Sequence, residues 1–329
     1  MKGATVSDER AIRWLLSSRD PSVRYFTHTD LLGTPAESEA VLAVKRQIPC
    51  SGRVQVLLGG QLPDGGFGVH PYQKWIGTHW RLVSLVELGV PAGFEPALRA
   101  VEQELAWLTG DQHRRRAIRV IEGRTRRCAS QEGNALAVCC RLGMAKDPRV
   151  RVLAHSLVDW QWPDGGWNCD KDPTAHHSSF HESLIPLWGL TEYHRVTADL
   201  TMLAAARRTA EFFLRHCLFR METTGEVIHP TWTQLHYPPY WHYDVLAGLL
   251  VLSRLMPLTD PRMAEALDLV EGKRRADGLW HPEGYYWAPP GRKSANVEVL
   301  DWGRRGPNEM LTLNALRVLK AAGRLAVGS

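Results

Sequence analysis

The chain has 329 residues, 44% hydrophobic and 23% charged, which is enough apolar content to bury one large core or two ordinary ones and too mixed for a fibre, a linker or a miniprotein. Its formal charge of +5 is modest for this size and does not by itself call for a nucleic-acid partner. The longest apolar run, Val245–Leu252, falls well short of the roughly 20 residues needed to cross a bilayer, and the first ten residues carry no apolar signal core. A soluble, cytoplasmic protein without a membrane span is therefore expected. Its six cysteines include no CxxC pair and read as free thiols or metal ligands rather than a disulfide frame.

In chain order, residues 1–50 hold short helical patterns around Ala11 to Leu16 and Pro21 to Tyr25, expected to form one helical hairpin packed onto the rest. Residues 53–61, 148–161 and 261–275 are amphipathic and are predicted to be solvent-facing helices. Asp147-Pro148 and Asp260-Pro261 place a capping carboxylate before a proline at the first helical position, and Glu95-Pro96 is expected to act similarly. Each amphipathic stretch is followed, after a polar loop, by an almost wholly apolar one: residues 78–88, 131–142, 179–190, 242–255 and 308–322 are the predicted inner helices. Gly89, Gly143 and Gly323 stop three of them. No alternating strand pattern competes. The inner-helix starts near 78, 130, 180, 242 and 309 give a regular series of hairpins, so the expected fold is all-α, a single-domain six-hairpin barrel with residues 51–325 as its repeat region.

The repeat has a sequence signature. Gln61-Leu-Pro-Asp-Gly-Gly-Phe67 returns as Gln161-Trp-Pro-Asp-Gly-Gly-Trp167, and Asp277-Gly-Leu-Trp280 is a weaker copy. Glycine supplies the positive φ of a chain reversal, aspartate caps the turn, and the aromatic wedges between hairpins, so these turns specify fold rather than chemistry. The segments resemble the Gln-Trp repeats of the squalene-hopene cyclase and protein prenyltransferase superfamily, whose fold is an α/α toroid. More narrowly, Trp167-Asn-Cys-Asp170, Ser179-Phe-His-Glu-Ser183 and Trp241-His-Tyr-Asp-Val-Leu246 resemble bacterial single-domain squalene-cyclase-like proteins. The resemblance implies a terpenoid-cyclase- or prenyltransferase-like enzyme with an isoprenoid or similarly apolar substrate in a central, aromatic-lined cavity. The Asp-x-Asp-Asp acid of class II cyclases and the Asp-Asp-x-x-Asp magnesium motif are both missing from the sequence, so proton-initiated triterpene cyclisation is not expected.

In such a ring the first turns of the inner helices converge on one mouth, where helix dipoles add positive charge. His79, Cys128, Glu132, Cys169, Asp170, His177, His181, Glu182, His242, Asp244 and Glu309 fall there and include every common zinc-ligand type. One zinc is expected on Cys169, His181 and His242, with Cys128 or Asp170 as a fourth ligand; zinc prenyltransferases, by resemblance, draw their Asp, Cys and His ligands from comparable places. Cys139 and Cys140, inside an apolar stretch, are expected in the core. If that metal site does not form, His242 and Asp244 are expected as a hydrogen-bonded acid/base pair, with Glu182 as a further catalytic candidate. Substrate contacts are expected from His79, Trp167, Trp232, Tyr240, Trp241 and Tyr243, because aromatic faces shield apolar chains and stabilise cations.

Two other function classes compete. A carbohydrate-active lyase or hydrolase on a toroid would need an open aromatic cleft and facing carboxylates such as Asp244 and Glu309. A non-catalytic binding protein would use the run of seven arginines between Arg114 and Arg127, although a charge run is ordinarily a solvated loop. Nucleic acid is disfavoured, because no regular aromatic interleaving accompanies the arginines.

Overall fold

Helices begin where the sequence supplies a capping group. A computed structural model of the protein describes residues 6–325; the first five and last four residues of the single domain expected over 1–329 lie outside the described residues. Asp147 accepts a hydrogen bond from the Arg149 N–H at the head of α9 (Pro148–Trp160). Asp199 does the same for α11 (Leu200–Arg215), Asp244 for α12 (Val245–Leu252) and Asn308 for α14 (Glu309–Ala321). Asp260 caps a short 3₁₀ turn, Pro261–Met263, that runs into α13 (Ala264–Gly272). The expected Glu95 cap is not made: Phe94 takes the N-cap position of α6 (Glu95–Thr109), with no side-chain cap bond.

The remaining helices are α1 (Val6–Leu16), α2 (Pro21–Phe26, continued by a π turn Thr27–Leu31), α3 (Glu39–Gln47), α4 (Gly52–Leu58), α5 (Thr78–Glu87), α7 (Asp111–Ala117), α8 (Ser130–Arg141) and α10 (Phe180–Thr197). Among the described residues they form an α/α toroid of six hairpins. Helices α2, α5, α8, α10, α12 and α14 make the inner ring, and α1, α4, α6, α9, α11 and α13 the outer one. Every residue of α8 from Ser130 to Cys140 is buried, Cys139 and Cys140 included, whereas α9 and α11 bury one face only. The ring closes where Arg317 of α14 pairs with Asp30 at 2.6 Å and Phe26 packs against Gly89 just beyond α5.

The Asp-Gly-Gly turns staple each hairpin to the next. Gln61 Nε2 donates to the Pro96 carbonyl of α6 at 2.8 Å, and Gln161 Nε2 to the Ala205 carbonyl of α11 at 3.0 Å. Gly65 and Gly165 have φ of 85° and 103°, and a Cβ on either would lie 2.1 Å from Arg99 O or 2.5 Å from Arg208 O. Trp167 and Trp280 close their turns by donating Nε1 to carbonyls of the preceding outer helices, Leu157 at 2.9 Å and Val270 at 2.7 Å.

The far end of the barrel carries a layer of ion pairs. Arg141 pairs with Glu192 at 2.8 Å, and Arg254 with Glu87 at 3.2 Å. Burial works against the Glu192 charge, but Arg141 and Arg254 outweigh it and hold the carboxyl down at about 2. These arginines also sit near the C-terminal ends of inner helices, where the dipole favours cations.

Some elements differ from expectation. Helix α10 runs past the expected end at residue 190 to Thr197, and α12 is shorter than the expected 242–255. Gly189 serves packing inside α10: a Cβ there would lie 2.5 Å from Gly133 O, and one on Gly133 2.6 Å from Pro186 N. The arginine run folds into α7 and a small hairpin, β1 (Arg119–Ile121) with β2 (Arg124–Arg126). Its last two members turn inward: Arg126 lies 4.6 Å over the Trp162 ring and Arg127 is bonded to Glu132. No helix of the described residues is long and apolar enough to cross a membrane. Because α8 and α10 meet glycine to backbone, Gly133→Ala should cost about 1–3 kcal/mol in urea unfolding; an unchanged midpoint would contradict this packing.

Candidate functional site

The head of α12 organises the centre of the barrel. Asp244 is 1% exposed, and its carboxylate accepts the Ala247 N–H at 2.7 Å, the His236 N–H at 3.0 Å and the His236 Nδ1–H at 2.9 Å. His236 Nε2 is buried with no hydrogen-bond partner among the described residues. Burial disfavours the imidazolium, but the Asp244 charge and hydrogen bond, helped by the Gln234 carbonyl, raise the His236 pKa above its ordinary value. The expected partner, His242, is not involved in this pair. Its ring is stacked between Trp241 and Tyr286, with centroids 3.8 and 3.5 Å away. Burial, followed by His236, His181 and Lys74, pushes its pKa down to about 3.

His236 and Asp244 line a cavity of about 70 Å³ at the core of the inner ring. Its walls are mostly apolar, among them Val83, Leu184, Ile185, Leu246 and Leu311. Residues 237–240 roof it, and Glu87 and Arg254 form its floor. Tyr240 and Asn134 also line it, and the Tyr240 hydroxyl and Asn134 Oδ1 are buried without hydrogen-bond partners among the described residues. Tyr240 is held by a parallel stack on Trp75 at 4.1 Å. Asn134 Nδ2 donates to His79 Nε2 at 3.1 Å, and His79 Nδ1 donates to Glu104 at 2.6 Å, so a second buried histidine–carboxylate pair backs the cavity wall.

At the mouth, Cys128, Cys169 and Glu182 come together, with their ligand atoms all within 4.8 Å of one another. Cys169 Sγ donates to Glu182 Oε1 at 3.6 Å, while Ser130 N–H at the start of α8 donates to Glu182 Oε2 at 3.0 Å. Hydrogen bonding between the sulfurs lowers the Cys128 pKa and raises that of Cys169, with burial and Glu182 adding to the rise. Burial raises Glu182 as well, more than the Ser130 bonds lower it. His181 and His242 do not belong to this group: His181 Nδ1 accepts the Tyr243 N–H at 3.0 Å. Asp170 and His177 are exposed. Glu309 bonds Ser18 and Arg53 as part of ring closure, and buried Glu132 is the partner of Arg127.

The other aromatic candidates divide between packing and surface. Trp167 is a buried hairpin wedge, Trp232 packs on Phe180 at 4.4 Å, and the Tyr243 hydroxyl donates to the Leu218 carbonyl at 2.7 Å. Trp241 lines an open cleft of about 520 Å³ with Lys74, Tyr285, Tyr286 and Arg304. A neighbouring cleft of about 610 Å³ is bordered by Tyr72, Lys74, His113, Arg127 and Gln131. Two groups carried no sequence motif. His236 lies eight residues before Asp244 across Pro238-Pro239, a spacing with no helical or strand meaning. Glu298 is pushed up to about 7 by burial, against the pull of the Val299 and Leu300 amides.

No protein-family model and no curated protein matches the chain. Among solved structures, it aligns over 97% of its length with the Lin0763 protein from Listeria innocua, at 12% identity, 96% coverage of that chain and a TM-score of 0.49. It aligns with a variant of the type II terpene cyclase MstE from Scytonema, in complex with geranylgeranyl dihydroxybenzoate, at 16% identity, 97% of each chain and a TM-score of 0.46. It also aligns with an unsaturated glucuronyl hydrolase specific for heparin at 10% identity, 96% of each chain and a TM-score of 0.45. Likeness at this level carries no activity.

The raised His236 pKa makes stability depend on pH. Its contribution is fully present below the unfolded value of about 6.5 and is lost as pH rises through the higher folded value. Urea unfolding of wild type and His236→Gln should therefore show a wild-type advantage at pH 6 that shrinks by pH 9; a gap that widens with pH would contradict the pair.

Proposed function

We propose that the protein is an enzyme of the terpenoid-cyclase and prenyltransferase kind, which takes an apolar, isoprenoid-like molecule bearing one polar group into the centre of the barrel and moves a proton at His236 Nε2. The observation that carries this reading is a buried imidazole whose Nδ1–H is held by Asp244 and whose Nε2 has no partner among the described residues, on a cavity with mostly apolar walls. Asp244 fixes the tautomer and stabilises the protonated ring, so Nε2 is left to give or take the proton. Asn134 Oδ1 and the Tyr240 hydroxyl, likewise without partners, hold the polar group, and the aliphatic walls hold the hydrocarbon. Trp188, which also lines the cavity, is less suited to a substrate cation, since Arg141 and Arg254 already lie 5.5 and 5.0 Å from its ring.

Size limits the substrate. The cavity of about 70 Å³ is small beside the roughly 300–1,000 Å³ of ordinary ligand pockets, so a long prenyl chain enters only if the 237–240 roof lifts. A carbohydrate-active reading draws on the aromatic mouth cleft around Trp241, Tyr285 and Tyr286, but Asp244 and Glu309 are committed to separate partners, His236 and Arg53.

Fluorescence titration with geraniol and farnesol, alongside a neutral oligosaccharide, tests this proposal. The alcohols should bind wild type, and His236→Gln or Tyr240→Phe should weaken binding about 5-fold by removing one hydrogen bond. Failure of both alcohols to bind, equal binding by the variants, or binding of the oligosaccharide alone would overturn it.

A further inference from the structure

We infer that Cys128, Cys169 and Glu182 form a zinc site at the mouth of the barrel, separate from the His236 centre and independent of the reaction proposed there. The three residues come from distant parts of the chain: the segment following β2, the loop after the second Asp-Gly-Gly turn, and the first turn of α10. The fold nevertheless brings their ligand atoms within 4.8 Å of one another.

The spacing suits the metal. Zinc bonds of about 2.3 Å to sulfur and 2.0–2.2 Å to oxygen, set at the tetrahedral angle, put the two ligand atoms about 3.6 Å apart; Cys169 Sγ and Glu182 Oε1 are 3.6 Å apart. The second carboxylate oxygen is tied to the Ser130 N–H at 3.0 Å, which aims Oε1 at the sulfurs in the way outer-shell hydrogen bonds orient metal ligands. Two thiolates favour zinc over calcium or magnesium, which take oxygen ligands. All three residues are half-buried, so one side of the site is reachable from the mouth. Three protein ligands with a fourth corner left for water or a substrate donor atom is the pattern of a catalytic rather than a structural zinc. Of the ligands expected from the sequence, Cys169 and Cys128 remain, and Glu182 takes the place of His181 and His242, which lie outside the group.

The test uses the full chain, reduced, incubated with zinc sulfate and freed of excess metal by gel filtration. Elemental analysis should find about one zinc per chain in wild type and in Cys50→Ser, whose cysteine is exposed and outside the group. Cys128→Ser and Cys169→Ser should lose the metal while keeping the helical circular dichroism of wild type. Cobalt substitution supplies a readout independent of stoichiometry: wild type should show thiolate-to-cobalt charge transfer, and each cysteine variant should reduce its intensity. Wild-type protein that retains no zinc under reducing conditions, or cysteine variants that retain it fully, would overturn the site.

Discussion

A carboxylate sealed at the head of the most apolar helix is the constraint on which the centre of the molecule depends. A carboxylate at 1% exposure is costly to bury without partners, and Asp244 meets that requirement with two backbone amides and one imidazole. Those bonds start α12, bring the chain back from residue 236, and orient the His236 ring so that only Nε2 is left unbound. Removing one member of such a pair leaves a buried charge uncompensated, at a cost of about 3–5 kcal/mol. Local helix capping, the roof of the cavity and the chemistry of its wall are thus set by the same interaction.

The two ends of the barrel have opposite electrostatic designs. Inner helices point their N-termini at the mouth, where thiols, carboxylates and ordered loops gather. Their other ends bring Glu87, Arg141, Glu192 and Arg254 into a partly buried layer of ion pairs, which complements the helix dipoles. The outer ring adds little chemistry: its role is to hold consecutive hairpins in register through Gln61, Gln161 and the tryptophan wedges.

How much could be read from the sequence followed from how local each signal is. Turn repeats, caps and all-round apolar stretches act within a few residues, so hairpin order and the positions of α5, α8 and α14 were legible. The length of α10 was not legible: the apolar pattern ends near residue 190 while the helix continues to Thr197, and no local signal marks Gly189 as the place where α10 meets Gly133 O. Arg126 and Arg127 resembled the rest of a solvated charge run, yet β2 turns them onto Trp162 and Glu132. The site was legible as a set of residues and not as a set of partnerships. Cys128, Cys169, Glu182 and Asp244 were all singled out, but which of them meet depends on non-periodic loops. His236 pairs with Asp244 because the chain reverses over Pro238-Pro239, and His242 is taken up instead by its stack on Trp241 and Tyr286.

The central claim is that His236 offers a free Nε2 to the cavity while Asp244 holds Nδ1. Nitrogen NMR of histidine-labelled protein, followed through a pH titration, tests it most directly. The account predicts that Nδ1 of His236 keeps its proton throughout, and that Nε2 alone titrates with a pKa above the ordinary imidazole value of about 6.5. A His236 ring that loses its proton from Nδ1, or that titrates below the ordinary value, would contradict it.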